Sequence, residues 1–427
     1  MTATGRRIEK EPNQPRPLLP SRLSRFALRT AAAWIVCSLL SGCWDRLEIE
    51  ERAMVLGIGI DTEAHEISGQ DENITHVGEA FPKPKTDPIR LTAQIAVPGR
   101  IPLGPSDAGG GSQPGQKPIW VLEVVGHTMD DAIMNLQQKM ADRLFWGHLR
   151  VIVISKELAK QGLTNINEYL RRNTEVRRTT WIVISEGKAS DLMGLTPQLE
   201  RLPPLYLLNT MEHAVQMGKL PNIFAGRFWS AGSSKGTDPF LPYIKLLEAE
   251  NIEIAGLAYF RTDKLVGTTE PLEIAGFMGI KGLSPGGYGV VVHIPDSETT
   301  VMYQATHRKS RTKVEIREGK PVMKLRIHTE GNLSEKSSEQ VQLDAHIIEQ
   351  IERQINENGV KEYRNLIRKT QQRGSDIFGF GEYVRAKRPG YWAREVRTKE
   401  RWEELYRTLE IELEVSNSIR RVGSKTT

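Results

Sequence analysis

Cysteine, long apolar runs and catalytic signatures are all scarce in this chain. Only two of its 427 residues are cysteine, Cys37 and Cys43, which excludes a multi-cysteine zinc site or a disulfide framework. Beyond Cys43 no stretch approaches the roughly 18 consecutive apolar residues of a membrane-spanning helix. HExxH, GxSxG, P-loop and complete dinucleotide-binding motifs are missing, and the nine histidines are scattered. The sequence therefore predicts a protein of binding or assembly, not an enzyme, with no metal or dissociable cofactor.

Excess positive charge is confined to the N-terminal segment. The chain has 58 Lys and Arg against 53 Asp and Glu, but seven of these bases and only two of these acids precede residue 43. The rest of the chain is therefore formally neutral. Since a nucleic-acid-binding surface needs basic side chains on the folded protein, we expect no nucleic-acid partner. The length predicts two or three domains.

Residues 1–42 have the pattern of an export signal. The apolar run 31–42 is too short to span a bilayer comfortably, and it follows three arginines, Arg22, Arg25 and Arg29. It ends in a sequence that resembles the bacterial lipobox, Leu40-Ser41-Gly42-Cys43. That resemblance implies cleavage after Gly42 and a diacylglycerol on the Cys43 thiol, and two acyl chains anchor a protein stably where one does not. The alternative is a buried N-terminal helix with an incidental cysteine.

Residues 43–250 contain strand patterns that alternate with helix patterns. Short apolar runs rich in branched residues predict strands at 54–61, 91–97, 120–125, 151–155 and 181–185. Two helices are predicted, at 128–143 with Thr128 as its N-cap and at 156–161. Such alternation indicates a mixed or partly parallel sheet. Residues 102–117 predict a flexible loop. A division into two subdomains is predicted near 186–200, and residues 200–242 predict either a small helical portion or a second subdomain.

Residues 251–421 predict a C-terminal domain of the α+β class. The domain begins with a hairpin whose turn is 261–264. Further strands are predicted at 289–293, 300–305, 313–316, 321–329 and 409–415. Apolar residues three to four apart predict one long helix from about Glu339 to Gln371, which Asn358-Gly359 could break or kink. We therefore expect an antiparallel sheet with one long helix.

Four blocks of residues, in a fixed order from Cys43 to about Val415, carry a family resemblance. The first is Cys43-Trp44-Asp45, Glu48-Ile49, Val55, Gly57 and Gly59-Ile60-Asp61. The second is Gly147-His148, Val151 to Ser155, Gly162, Tyr169 to Arg172 and Glu175 to Arg177, and the third is Leu241-Pro242, Gly256 to Phe260 and Asp263 to Gly267. The fourth is Gln372, Asp376 to Gly381, Pro389, Trp392 and Trp402. Together these blocks resemble the Ger(x)C family, the lipoprotein C subunit of spore germinant receptors.

The resemblance implies a multidomain protein of three compact domains with mixed α and β structure, and no enzymatic activity. It also implies assembly with two integral membrane partners, the A and B subunits of the receptor, which would bind the germinant. Lipid on Cys43 would hold the chain on the outer face of the spore inner membrane. The alternative is a solute-binding lipoprotein of a transporter, which needs a cleft between two similar lobes; the unlike halves of the sequence argue against it.

The glycine-rich turn of the fourth block is a candidate contact with a partner. Its residues are Asp376, Phe378, Gly379, Phe380 and Gly381. Because the pattern follows a predicted helix and lacks the third glycine of a nucleotide-binding loop, it also predicts a structural turn that ends that helix. Two interpretations also remain open for a basic cluster formed by Arg308, Lys309, Arg311 and Lys313. These side chains would either contact lipid headgroups or form a solvated strand face.

Overall fold

A computed structural model describes residues 30–31, 34, 52–63, 75–76, 80, 82, 84–97, 118–197, 200, 202–248, 250–338 and 341–422. The chain divides into two compact units, Met1–Glu51 and Arg52–Thr427, and the elements below belong to the second. Cys43, nearly all of the predicted leader and the predicted loop at 102–117 lie outside the described residues. The lipid anchor therefore stays a prediction.

The larger of two sheets has nine strands and is mixed, as the sequence predicts. Its strands are β1 (Arg52–Thr62), β2 (Ile89–Ala96), β3 (Ile119–Gly126), β4 (Arg143–Phe145), β5 (Val151–Ser155), β6 (Trp181–Ser185), β7 (Phe240–Leu247), β8 (Asn251–Arg261) and β9 (Lys264–Thr268). They follow the order β3-β2-β1-β5-β6-β7-β8-β9, with β4 beside β1. The central strands β1, β5, β6 and β7 pair in parallel, and the flanks are antiparallel.

The two innermost strands, β5 and β6, are apolar except for a serine at the end of each. Strands β5 and β6 have the sequences VIVIS and WIVIS, and every residue of both is buried. A strand covered on both faces needs such a continuous apolar run, whereas a half-exposed strand alternates. The predictions at 151–155 and 181–185 are confirmed.

Seven helices connect or flank these strands within the described part of the chain. They are α1 (Met129–Gln138), α2 (Lys156–Gln161), α3 (Thr164–Arg172), α4 (Ala189–Met193), α5 (Pro203–Gln216), α6 (Ala225–Ser233) and α7 (Pro271–Lys281). Thr128 caps α1 as predicted, since its hydroxyl accepts from the backbone N–H of Asp131 at 3.2 Å. Helix α1 ends at Gln138 and not at Arg143, because residues 143–145 pair with β1 as strand β4.

The smaller sheet contains β10 (Gly289–His293), β11 (Thr300–Arg317), β12 (Lys320–Lys336) and β13 (Glu410–Val422), in that order. The antiparallel arrangement that the sequence predicts holds from β10 to β12, whereas β13 joins β12 in parallel. Parallel neighbours need a long crossover. Here it consists of α8 (Ala345–Arg373), α9 (Phe380–Lys387), α10 (Pro389–Tyr391), a π-helical turn (Trp392–Val396) and α11 (Lys399–Tyr406).

Helix α8 is the long helix that the sequence predicts. It begins later than expected, at Ala345, where the Asp344 carboxylate accepts from the backbone N–H of Ile347 at 2.8 Å. Asn358 and Gly359 lie inside the helix and do not break it. The helix ends at Gly374, whose φ of 68° is the left-handed conformation that glycine adopts most readily.

The predicted division near residue 250 falls in the turn between β7 and β8. These strands are antiparallel neighbours in the larger sheet. One hydrophobic core also includes side chains from Val151 to Leu409. The described residues on the two sides of this turn therefore share a sheet and a core, while the division near 186–200 stays a prediction.

Candidate functional site

Gly59 and Asp61 of the first block hold helix α4 against strand β1. The Asp61 carboxylate is buried and accepts from the backbone N–H groups of Ala189 and Ser190, at 2.6 and 2.9 Å. It therefore caps a helix whose own N-cap residue, Lys188, makes no side-chain cap. A Cβ on Gly59 would lie 2.8 Å from Cγ of Met193 in α4. The glycine and the aspartate thus have packing and capping roles.

The glycine-rich turn of the fourth block, residues 375–381, is held by the Asp376 carboxylate. One oxygen accepts from the backbone N–H of Gly379 at 2.8 Å. The other accepts from the backbone N–H of Gly381 at 2.9 Å and from Nε1 of Trp402 at 3.0 Å. Gly379 has a φ of 75°, and a Cβ on Gly381 would lie 2.5 Å from the Trp402 ring. Backbone conformation at one position and close packing at the other explain the two glycines.

All five residues proposed as a partner contact are buried. Asp376 is fully buried, and the Phe378 and Phe380 rings, each 2% exposed, pack with Phe277 and Tyr406. The structure thus favours the alternative left open by the sequence, a structural turn. It does not end the preceding helix, which Gly374 terminates; Gly379 instead lies at the start of α9.

Asp238 and Lys399 complete the surroundings of this turn, and sequence analysis missed both. Asp238 accepts from the backbone N–H of Asp376 at 2.9 Å, and its other carboxylate oxygen lies 3.0 Å from Nζ of Lys399. Lys281 donates to the carbonyl of Phe378 at 2.8 Å. Because Asp238 lies more than a hundred residues from Asp376 in sequence, no local pattern indicates the pair.

Burial changes the acid–base properties of this cluster. Loss of solvation raises the pKa of Asp376 to about 6, although the hydrogen bonds from Gly381 and Trp402 oppose the rise. Glu403 of α11 belongs to the same cluster, because it interacts with the charges of Asp238 and Lys399. Burial, reinforced by the negative charge of Asp238, raises the pKa of Glu403 to about 7. Burial also lowers the pKa of Lys281. The cluster therefore holds two carboxyl groups that titrate well above the ordinary carboxyl range.

We predict that these two carboxyl groups make the fold less stable as the pH rises from about 4 to about 7. In the unfolded chain, Asp and Glu titrate near 3.9 and 4.3, so the folded state binds their protons more tightly. The resulting stabilisation is complete at low pH and is lost as the pH passes through the folded-state pKa values. Urea unfolding at several pH values measures it.

Glu403→Gln isolates one of the two contributions, because glutamine imitates the protonated side chain. We expect its free energy of unfolding to fall less than that of the wild type over the same pH range. Glu404→Gln is the control, since Glu404 is exposed on the same helix and pairs only with Arg401 at 2.9 Å among the ion pairs described. An identical pH profile for Glu403→Gln and the wild type would contradict the assignment.

The basic cluster on β11 does not lie on one solvated face. Lys309, Arg311 and Lys313 are exposed, but Arg308 is only 4% exposed. Its guanidinium donates to the carbonyl oxygen of Pro285 at 3.2 Å. Arg308 therefore takes no part in the predicted solvated surface, and its neighbours alone keep that role.

Neither a metal centre nor a membrane span is found within the described ranges. No group of three or more His, Cys, Asp or Glu side chains there is placed to hold a metal ion. No helix of that part of the chain is long and apolar enough to cross a membrane.

Comparison with known families assigns the chain to a class. A family model described as "Spore germination protein N-terminal domain" matches residues 45–246, and one described as "Spore germination B3/GerAC like, C-terminal" matches residues 255–423. Both models describe proteins of spore germination. The chain belongs to this family, the Ger(x)C family, which confirms the resemblance carried by the four blocks. Residues 247–254, between the two matches, contain the β7–β8 turn.

Individual relatives match this chain over nearly its whole length. The chain is 27% identical to the putative spore germination protein YfkR of Bacillus subtilis, over 88% of this chain and 92% of that one. It is 23% identical to spore germination protein KC of the same organism, over 90% and 93%. The crystal structure of the GerBC protein superposes with a TM-score of 0.51 at 18% identity, covering 78% of this chain and 94% of that one. The last match confirms the mixed α/β fold.

Proposed function

We propose that this chain is the lipid-anchored subunit of a nutrient germinant receptor and acts in a complex with two integral membrane subunits. The observation that carries the proposal is the ordered match to both family models, over 45–246 and 255–423, directly behind a sequence that resembles a lipobox. Its place would be the outer face of the spore inner membrane. Germinant recognition and transport would belong to its two partners.

The anchor gives this arrangement a physical basis. Each buried CH₂ of an acyl chain contributes about 0.8 kcal/mol, so two chains on Cys43 would hold the body at the bilayer surface. Confinement to a surface raises the effective concentration of a protein near its partners, so modest contacts are enough for a stable complex. The role that follows is to hold or gate the partners, with no chemical step.

Affinity capture tests the proposal. A tag placed after Thr427 extends the chain beyond β13, the last strand of the smaller sheet. We expect capture from detergent-solubilised spore membranes to yield two multi-spanning proteins in constant ratio with the tagged chain. An untagged strain provides the control.

The same experiment distinguishes the alternative, a solute-binding lipoprotein of a transporter. Recovery of a transporter permease with an ATP-hydrolysing subunit would contradict the receptor assignment and favour that class. In the part of the chain that the structure describes, sheets of nine and four strands do not give the two similar lobes that such a protein closes around its solute.

A further inference from the structure

A cavity of about 430 Å³ lies between α7, α8 and the β10–β11 strands. This volume is within the range of small-molecule sites, roughly 300–1,000 Å³. Most of the lining is apolar, from valines of β10, Ile355 and Leu366 of α8 and three tyrosines. At the rim, Leu272 of α7 and Val291 of β10 are 50% and 61% exposed. Large apolar side chains left in water beside an apolar cavity indicate a surface that a ligand would cover.

Arg308 lines this cavity and is a buried cation without a counterion in the described structure. Its Nη1 donates to the carbonyl oxygens of Pro285 and Leu283, at 3.2 and 3.4 Å. Its Nη2 is buried and has no hydrogen-bond partner among the described residues. Among those residues, the groups that act electrostatically on Arg308 are tyrosines, and no carboxylate pairs with it. A buried charge without a counterion is unfavourable and is stabilised by any anion that reaches it.

The neighbouring tyrosines cannot supply the negative charge that would balance Arg308. Tyr288, Tyr303 and Tyr363 line the cavity with Arg308. Burial raises the pKa of Tyr288 and of Tyr363 to about 12, and it raises the pKa of Tyr303 as well. All three are therefore neutral near pH 7. The positive charge of Arg308 is left for a ligand to compensate.

Acidic residues in the lining restrict which anion fits. Glu270, Glu273 and Glu362 also line the cavity. Glu273 is bound to Lys369 at 2.7 Å and accepts from the backbone N–H of Glu270 at 2.6 Å, so its negative charge is already compensated. The remaining glutamates repel a multiply charged group such as a phosphate, whereas one carboxylate directed to Arg308 keeps the repulsion small.

Gly359 gives independent support for an open cavity. It lies inside helix α8 and lines the cavity, although glycine is less stable than alanine within a helix. A Cβ at this position would meet nothing closer than 3.4 Å, so backbone packing does not require a glycine here. Its effect is to leave the space beside Tyr363 empty.

We propose that this cavity binds a small monocarboxylate with an apolar body, whose carboxylate pairs with Arg308 while the body packs between α7 and α8. The full-length chain, purified in detergent, is tested by equilibrium dialysis with 3-phenylpropionate and with the uncharged 3-phenylpropan-1-ol, against detergent-only blanks. We expect saturable binding of the acid that is at least about tenfold tighter than binding of the alcohol, because the charge-assisted hydrogen bond is made by the acid alone.

Three variants locate the binding. Arg308→Met should weaken binding of the acid at least about tenfold and leave binding of the alcohol unchanged. Arg311→Met is the matched control, because Arg311 lies on the same strand but is exposed, and it should change neither. Ala275 is partly exposed and lies on the face of α7 that lines the cavity. Ala275→Trp should therefore fill the cavity and weaken binding of both ligands.

Equal affinity of the wild type for acid and alcohol, or no saturable binding of the acid, would overturn the proposal. So would unchanged binding of the acid to Arg308→Met or to Ala275→Trp. Circular dichroism verifies folding of each variant. If Arg308→Met does not fold, the acid–alcohol comparison in the wild type and in Ala275→Trp decides the question.

Discussion

Replacing Trp402 with alanine is expected to lower the free energy of unfolding by about 3–5 kcal/mol, the usual cost of deleting a large buried aromatic side chain. Trp402 is 1% exposed, and its ring centroid lies 5.7 Å from that of Trp392. Its Nε1 donates to Asp376, so the variant loses apolar packing and one of the three donors that hold the buried turn. Urea unfolding followed by circular dichroism measures the difference.

Two further variants separate these contributions. Trp402→Phe keeps much of the packing but removes the donor, so we expect an intermediate loss of about 1–3 kcal/mol. Trp120→Ala is the matched control, because Trp120 lies on the edge strand β3 and is 45% exposed. We expect this control to cost less than about 1 kcal/mol. A loss for Trp402→Ala no greater than that of the control would mean that the turn does not depend on the indole.

Local patterns were sufficient to predict the central strands and the start of α1. The sequences at 151–155 and 181–185 are apolar up to a final serine, which is the pattern that burial on both faces requires. Thr128 followed by two aspartates is a local signal for a helix start, and the hydrogen bond to Asp131 forms as expected. These features depend on residues a few positions apart, so no knowledge of the fold was needed.

Strand β11 shows where local patterns fail. The sequence predicts two separate strands, at 300–305 and 313–316, because the residues between them are polar and basic. The structure has one continuous strand, since β12 supplies a partner for nearly every one of these residues. Strand preference depends strongly on such cross-strand pairing, which a single sequence does not reveal.

The surroundings of the buried turn were only half predictable. The glycines at 379 and 381 indicated a turn, and the structure gives each a physical reason. The carboxylate of Asp238 comes from the chain before β7, far away in sequence, and its pairing with Lys399 has no local signature. The burial of Arg308 was missed for the same reason, because its burial among α7, α8 and β10 depends on the tertiary fold.

Replacing Cys43 with alanine is expected to abolish acylation and to release the body from membranes. Without the thiol there is no acceptor for the diacylglycerol, and the leader should remain uncut. Its apolar run, residues 31–42, is shorter than the roughly 20 residues that a stable span needs. We expect the membrane-bound fraction after a high-salt wash to fall at least about tenfold, since two acyl chains give stable anchoring and their loss removes it. Immunoblotting of the sedimented and soluble fractions measures the change.

Cys37→Ala is the matched control, because Cys37 lies in the same apolar run but outside the predicted lipobox. Alanine is also apolar, so export, cleavage after Gly42 and acylation should continue, and the membrane-bound fraction should stay at the wild-type level. Mass spectrometry of the wild type and of this control should show an N-terminal peptide that begins at Cys43 and carries lipid. An unmodified Cys43 behind an uncut leader would refute the anchor. It would also remove the explanation of how a body without a described membrane-spanning helix stays beside the membrane-embedded partners proposed for it.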